Sequence, residues 1–242
     1  MKIKIIMKKN RKKNRKFNVG FASLVIPVAL VVAILIFKFI MGNPQNFQGN
    51  DPANAALPGN FYGVVYKGGF IVPLLMTLLL TVITFVIERF LAIRKATGTG
   101  SVVDFVQDVK ENLQKNEIDS AMTECDEQKG SVANVIKSVL LRYRALEKDN
   151  SMVKDQKLSA LQNEVEEATS LELPALEENL VFLATITSLA TLMGLLGTVL
   201  GMIRAFAALA NAGAPDSVAL AQGISEALVN TAFGIGTASL AL

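Results

Sequence analysis

Two apolar stretches decide the fold: residues 179–210 read NLVFLATITSLATLMGLLGTVLGMIRAFAALA, and residues 217–242 read SVALAQGISEALVNTAFGIGTASLAL. Each exceeds the roughly 20 residues that a helix needs to cross the hydrocarbon layer of a membrane. Two uncharged stretches earlier in the chain, 17–37 and 68–87, are also long enough to cross. The sequence therefore predicts an all-α, polytopic membrane protein with four transmembrane helices.

The composition fits a membrane protein and excludes several kinds of catalytic site. Hydrophobic residues make up 51% of the 242 residues, and the mean hydropathy is +0.41. The chain has no histidine and a single cysteine, Cys125. Disulfide frameworks, Cys/His zinc sites and histidine-based triads are therefore excluded within the chain. We expect a protein that is not an enzyme and that holds no metal and no cofactor.

The amino terminus carries the strongest charge signal. Residues 1–16 contain nine Lys or Arg and no acid, which predicts a cytoplasmic tail under the positive-inside rule. Beside a membrane helix, such a tail is expected to contact anionic lipid headgroups, and no aromatic or Gly-rich pattern indicates nucleic-acid binding. The apolar run that follows is too long for a signal peptide, so we read it as a permanent helix.

Charge and turn residues then divide the chain into eight segments. The first helix leaves the cytoplasm, the second returns, and the segment between the second and third helices is polar with helical periodicity. The last helix ends without a basic flank, which predicts that it is truncated. The predicted segments are a basic cytoplasmic tail (1–16), a transmembrane helix (17–41), an external loop (42–67), a transmembrane helix (68–90), a helical cytoplasmic segment (91–178), a transmembrane helix (179–210), an external turn (211–216) and the last transmembrane helix (217–242).

Small and polar residues recur at steps of three and four in both final helices, so in each helix they share one face. Such a face is typical of tight helix packing or of a channel lining, and taken alone it favours packing. In the third helix the residues are Thr187, Thr191, Gly194, Thr198, Gly201 and Ala205; in the fourth they are Gly223, Glu226, Asn230, Gly234 and Thr237. The predicted packing residues are Gly194, Gly197, Gly201, Gly223 and Gly234.

Glu226 is the one ionisable residue between Ser217 and Leu242. A carboxylate at mid-bilayer costs roughly 3 kcal/mol, so it normally faces the interior of a helix bundle or a watery path. Glu226 is therefore a candidate proton relay, and the alternative is a permanently neutral acid bonded to a neighbour. Thr231 lies about 140° around the helix from Glu226. Both side chains can therefore line one lumen only if that lumen contacts a wide arc of the helix, or if several subunits contribute different edges to it. Arg204 is expected to reach the lipid headgroups.

Two motifs in tandem resemble those of a known family. GLLGTVLGMIRAF (194–206) followed by ISEALVNTAFGIG (224–236) resembles the paired signatures of the ExbB, TolQ and MotA proton-channel family, and the ExbB/TolQ branch most closely. GGFIVPLLMTLLLTVITFVIERFLAIRK (68–95) resembles the family's first membrane helix with its Glu-Arg pair. The resemblance covers about residues 62–242, so helix 17–41 is an addition to the family's usual three.

The resemblance implies an energy converter of the bacterial inner membrane, with the amino terminus in the cytoplasm and the external segments in the periplasm. It implies a homopentamer around the membrane helices of an ExbD/TolR-like partner, which passes work to the outer membrane, in the ExbB case through a TonB-like protein. By motif position the proton pathway residues are Thr198, Glu226 and Thr231, with Asn230 on the face of Glu226.

Three functions remain open within and beyond this resemblance. ExbB-like, TonB-dependent import is the first expectation, and a TolQ-like envelope role or a motility stator is the alternative. A non-conducting membrane scaffold is the alternative of a different class. A substrate carrier is weakest, because the sequence lacks the repeats and broken helices typical of carriers.

Overall fold

A computed structural model describes residues 23–149, 151–210 and 216–242. The predicted basic tail, residues 17–22 of the first predicted helix and residues 211–215 of the predicted turn lie outside these ranges. The chain divides into two compact units. One takes in the described residues up to Val86 together with Phe182–Leu242, and the other is Ile87–Val181.

The described residues are almost entirely helical and contain no strand. The helices, in chain order, are α1 (Ser23–Met41), α2 (Phe61–Tyr66), α3 (Ile71–Thr97), α4 (Val102–Gln114), α5 (Ile118–Gln128), α6 (Gly130–Glu147), α7 (Lys154–Leu176), α8 (Leu180–Leu209) and α9 (Ser217–Ala241). Four of them, α1, α3, α8 and α9, are long and apolar enough to cross a membrane. The predicted fold class, all-α with four such helices, is confirmed.

Helix α1 packs inside the first unit rather than standing apart. Ala33 on α1 is fully buried and belongs to a cluster with Val65, Val72 and Met76. Phe233 of α9 packs against the same cluster. The remaining surface of α1 is apolar and exposed, as expected of a helix surface that faces lipid.

The segment between α1 and α3 is more ordered than its Gly, Pro and Asn content predicts. It forms two 3₁₀ turns, Pro44–Asn46 and Gln48–Asn50, before α2. The Asn46 side-chain amide donates to the carbonyl oxygens of Ile40 and Met41 at 2.8 and 2.9 Å, which ties the loop to the end of α1. The ring of Phe47 is 1% exposed and packs edge-on against Tyr66.

The second unit is a helical bundle with its own small core. Helices α4, α5 and α6 bury Phe105, Val109, Ala121, Ala133 and Leu140 together. The amphipathic pattern of α4 predicts Val102, Phe105, Val106, Val109 and Leu113 on one face. Phe105 and Val109 are buried as expected, but Val106 and Leu113 stay partly exposed because the bundle covers only one edge of that face.

Helix α3 continues without a break past residue 90, the predicted membrane boundary, to Thr97. Within the second unit, its Arg89 guanidinium binds Glu88 through two nitrogens at 2.6 and 2.7 Å. The same group donates to the carbonyl oxygens of Ala175 and Leu176 at 3.3 and 3.5 Å. Because the last carbonyls of a helix lack partners within it, Arg89 caps the carboxyl end of α7.

Candidate functional site

Glycines bring the backbones of α8 and α9 into direct contact. A Cβ atom on Gly201 would lie 2.6 Å from the Ala227 nitrogen, and one on Gly223 would lie 2.6 Å from the Ala205 nitrogen. Both distances are far below an ordinary van der Waals contact, so no larger side chain fits without separating the helices.

The other predicted packing glycines lie at the same contact. A Cβ atom on Gly234 would lie 2.8 Å from the Cα atom of Gly194. One on Gly197 would clash with the Cβ atom of Asn230. The structure therefore places all five of these glycines between α8 and α9, and this close approach fixes which polar side chains of the two helices meet.

Two hydroxyls meet on one side of this helix pair. The Thr198 hydroxyl of α8 and the Thr231 hydroxyl of α9 form a hydrogen bond. Each is also within bonding distance of a backbone carbonyl, Thr198 with Gly194 at 3.1 Å and Thr231 with Ala227 at 3.1 Å. Both threonines are half-buried, so this pair is a polar spot at the edge of the α8–α9 contact.

Glu226 is 5% exposed and is bound by Arg204 of α8. The Arg204 Nη1 atom donates to both carboxylate oxygens, at 2.6 and 2.7 Å. Gly69, just before α3, lies against the carboxylate: a Cβ atom there would be 2.6 Å from Oε1. The sequence predicts that Arg204 reaches the lipid headgroups, whereas in the structure its guanidinium binds Glu226, because a buried carboxylate needs a charge partner.

Asn230 and Thr237 continue the face of α9 on which Glu226 lies, and we call these three residues the polar face of α9. Asn230 is 0% and Thr237 1% exposed. The Asn230 amide donates to the Gly68 carbonyl oxygen at 2.9 Å. Among the described residues, however, Asn230 Oδ1 and Thr237 Oγ1 have no hydrogen-bond partner. A buried polar atom without a partner costs about 1–3 kcal/mol, so each of these atoms would gain stability from a hydrogen bond to water or to another polar group.

The four predicted pathway residues form two groups rather than one. Thr198 and Thr231 pair at one edge of the α8–α9 contact. Glu226 and Asn230 instead face Gly69 and Gly68, before α3. The separation of about 140° between Glu226 and Thr231 explains this division. Within one chain, the two groups therefore border different sides of the helix pair.

A cavity of about 360 Å³ opens beside Glu226. Its lining combines the acid with two cationic side chains and one amide; the residues are Tyr66, Lys67, Gly69, Arg204, Ala219, Gln222, Gly223 and Glu226. The Lys67 ammonium donates to the carbonyl oxygens of Pro52 and Ala53 at 2.9 and 3.0 Å. Burial lowers the pKa of Lys67, and the nearby Asp51 carboxylate partly offsets this effect. In the part of the chain that the structure describes, no group of three acidic, His or Cys side chains could hold a metal ion.

A family model matches residues 131–242, which include the whole of α8 and α9. Over this length the chain is similar to the MotA/TolQ/ExbB proton channel family. Together with the four long apolar helices, this match supports a multi-pass membrane protein. The resemblance that the two motifs indicate is confirmed.

Curated proteins similar to this chain carry the names of two branches, ExbB and TolQ. The Tol-Pal system protein TolQ of Haemophilus influenzae is 43% identical over 68 residues, which are 28% of this chain and 30% of the relative. The biopolymer transport protein ExbB-like 3 of Synechocystis sp. is 41% identical over 73 residues, 29% of this chain and 35% of the relative. An ExbB homolog of Methanothermobacter thermautotrophicus is 29% identical over 185 residues, 74% of this chain and 61% of the relative.

These matches cover less than two thirds of each relative's own length. They support a likeness to the family and do not separate the ExbB branch from the TolQ branch.

Three residues of this site, Arg204, Gly69 and Thr237, are not among the predicted pathway or packing residues. Arg204 and Glu226 are 22 positions apart and on different helices, so no periodicity links them. In the sequence, Gly69 is one of many glycines in turns, and nothing singles it out. Only its position against the Glu226 carboxylate gives it a role. Thr237 does carry a signal, because it shares the helical spacing of Glu226 and Asn230.

Proposed function

We propose that this chain is a proton-conducting subunit that converts the proton motive force into mechanical work on a partner protein, and that it is not an enzyme. The observation that carries the proposal is the polar face of α9, where an acid, an amide and a hydroxyl are each more than nine-tenths buried. Two of these groups keep atoms that have no hydrogen-bond partner among the described residues. A helix that only packed against neighbours would gain stability from apolar side chains at these positions.

The energetics favour a titratable site over an open hole. One elementary charge that crosses 100 mV yields about 2.3 kcal/mol. That energy does work only if each proton is bound and released as the protein moves. Glu226 carries a carboxyl group that can bind a proton. The buried polar atoms of Asn230 and Thr237, which follow it on α9, can hold water along about 16 Å of the helix.

The two separate polar groups support assembly into a ring. One edge of the α8–α9 pair carries the Thr198–Thr231 hydroxyls and the other side carries Glu226. Neighbouring copies would bring both groups to a shared axis, which a single chain does not do. We propose a homopentamer in the bacterial inner membrane, with the amino terminus in the cytoplasm, around an ExbD/TolR-like single-span partner.

We place the chain first in ExbB-like import, in which a TonB-like protein carries work to the outer membrane. Of the three relatives described above, the ExbB homolog of M. thermautotrophicus matches the largest share of this chain, 74%. This match supports the choice. A TolQ-like role in envelope maintenance is the second candidate, because TolQ of H. influenzae matches at 43% identity. Deletion of the gene separates the two: loss of energised nutrient uptake supports import, and detergent sensitivity with normal uptake supports the TolQ-like role.

The test of conduction is proton uptake by vesicles that contain the full chain and its cognate single-span partner, under an imposed membrane potential. We expect Glu226→Ala and Thr198→Val each to slow partner-dependent uptake while the oligomer stays assembled, as judged by its mass in detergent. Ser239→Ala is the matched control, because Ser239 is an exposed hydroxyl residue of α9. Wild-type uptake by both pathway variants would favour the scaffold over the channel.

A further inference from the structure

The turn before α3 contacts the polar face of α9 at two residues. The backbone of Gly69 lies against the Glu226 carboxylate, so closely that a Cβ atom there would be 2.6 Å from Oε1. The Gly68 carbonyl oxygen accepts a hydrogen bond of 2.9 Å from the Asn230 amide. Because Glu226 and Asn230 are both buried, the position of this turn limits where the carboxylate can lie.

Aromatic packing holds the residues that lead into this turn. The ring of Tyr66 stacks on Phe37 of α1 with 4.7 Å between the ring centroids, and Phe47 packs edge-on against Tyr66 at 5.4 Å. The backbone carbonyl oxygen of Tyr66 accepts a hydrogen bond from the Gly69 nitrogen at 3.2 Å. Tyr66 therefore connects the end of α1 to the residue that contacts Glu226.

Lys67, which follows Tyr66, is anchored as well. Its ammonium group donates to the carbonyl oxygens of Pro52 and Ala53 at 2.9 and 3.0 Å. The nearby Asp51 carboxylate balances its positive charge. The two residues before the turn are therefore both fixed by side-chain contacts to the segment between α1 and α3.

We propose that the end of α1 and the segment that follows it position the Glu226 carboxylate. The Tyr66 ring, stacked on Phe37, holds the Gly68–Gly69 turn in place, and the turn limits the movement of the acid. Tyr66 is thus a positioning residue, because it acts on the acid only through the turn. This inference deepens the proposed function, and it rests on that function for the role of Glu226 in conduction. It also gives α1 a role in the site.

Arg204 alone does not fix the acid. Its Nη1 atom donates to both carboxylate oxygens, but its side chain is 53% exposed. A long side chain with that much exposure keeps much of its rotamer freedom, whereas a functional group has to be held within about 0.5 Å of its working geometry. The backbone of Gly69 supplies a second, stiffer contact, and this contact is effective only while the turn itself is anchored.

The experiment measures the rate at which a hydrophobic carbodiimide labels Glu226 in the full chain, purified in detergent. The reagent adds to a carboxyl group once that group is released from its partners, and mass spectrometry of fragments assigns the label to Glu226. We expect Tyr66→Ala to be labelled about fivefold faster than the wild type, which corresponds to about 1 kcal/mol, the contribution of one aromatic pair. Arg204→Gln, which frees the carboxylate, sets the upper limit of the rate.

Three variants separate positioning from a general loss of stability. Tyr66→Phe keeps the ring and should be labelled at the wild-type rate. Tyr62→Ala removes an exposed tyrosine of the same helix, α2, and should also leave the rate unchanged. Phe85→Ala opens a cavity in a different buried cluster, with Leu183 and Ile186, so it should destabilise the fold without faster labelling. Far-UV circular dichroism confirms that each variant is folded.

Two outcomes overturn the proposal: labelling of Tyr66→Ala at the wild-type rate, or equal acceleration in Tyr66→Ala and Phe85→Ala. Acceleration in Tyr66→Phe would also count against it, since the ring contacts remain. No proton flux enters this assay. Its failure therefore leaves the proposed conduction untouched, and failure of conduction is seen separately as absent uptake by vesicles.

Discussion

Gly69 is the residue that allows the Glu226–Arg204 pair to form. Its φ angle is +76°, and a Cβ atom there would lie 2.6 Å from Glu226 Oε1. We expect Gly69→Ala to lower the free energy of unfolding by more than the roughly 1–2 kcal/mol of left-handed backbone strain, because the carboxylate must also move. Denaturation of the purified chain in detergent measures this free energy.

The matched control is Gly59→Ala. Gly59 has nearly the same φ angle, +78°, but no atom lies within 4 Å of the position of its Cβ. This variant should show the backbone strain alone and should leave proton uptake unchanged. Equal losses of stability in the two variants would mean that Gly69 does not support the ion pair.

Cys125 is a probe of the packing of the second unit. It is 3% exposed, and burial raises the pKa of its thiol to about 11, from an ordinary 9.0. Iodoacetamide reacts with the thiolate, so at about pH 9 the folded chain should be labelled far more slowly than the chain unfolded in SDS.

The same shift in the Cys125 pKa has a consequence for stability. Because the folded thiol holds its proton more tightly than the unfolded thiol, its contribution to stability is fully present below about pH 9 and is lost as the pH rises to about 11. Replacing Cys125 with Ala should flatten the pH dependence of unfolding in that window. Similar labelling of folded and unfolded chains at about pH 9 would contradict the burial of this thiol.

At the scale of helices, the contact between α8 and α9 depends on the absence of side chains. Gly201→Ala places a Cβ atom 2.6 Å from the Ala227 nitrogen, and we expect a loss of about 1–3 kcal/mol in the free energy of unfolding, as is typical of overpacking. Gly236→Ala on α9 is the control, since no atom lies within 4 Å of its Cβ position. A stable Gly201→Ala variant would show that the two helices are free to separate.

The junction of α3 with the end of α7 depends on Arg89, which is 6% exposed. Arg89→Gln leaves Glu88 without its ion pair and the α7 carbonyls without their cap. Because Glu88 is partly exposed, we expect a loss of about 2 kcal/mol, less than the 3–5 kcal/mol of a fully buried pair. Arg144→Gln removes an exposed pair with Asp119 and should change stability by less than about 1 kcal/mol. Equal effects in the two variants would exclude a capping role for Arg89.

How far the sequence predicts these elements depends on the kind of signal each one carries. Apolar length alone predicts α1, α3, α8 and α9, because lipid imposes that length on any spanning helix. Helical spacing predicts that Glu226, Asn230 and Thr237 share a face. The loop before α2 escapes prediction, since the contacts of Asn46 and Phe47 join residues whose pairing has no periodic pattern.

At the scale of the whole molecule, the polar residues of α8 and α9 form two groups on different sides of the helix pair. The sequence predicts which residues are polar within the membrane. It does not predict the Arg204–Glu226 pair, because that pair depends on how α8 and α9 pack. The division into two polar groups follows from the angle that separates Glu226 and Thr231 around α9. The family match covers residues 131–242. Helix α1, which precedes them, shares a hydrophobic cluster with Phe233 of α9. The added helix therefore belongs to the same compact unit as the helix that carries Glu226.

We propose that the polar face of α9 serves proton conduction and does not add to the stability of the fold. Thr237→Val tests it most directly, because valine matches the shape of threonine and removes a buried hydroxyl that has no partner among the described residues. We expect the variant to be more stable than the wild type by about 1 kcal/mol and, in the same vesicles with the partner, to take up protons several times more slowly. Uptake at the wild-type rate by the stabilised variant would contradict a proton path along this face.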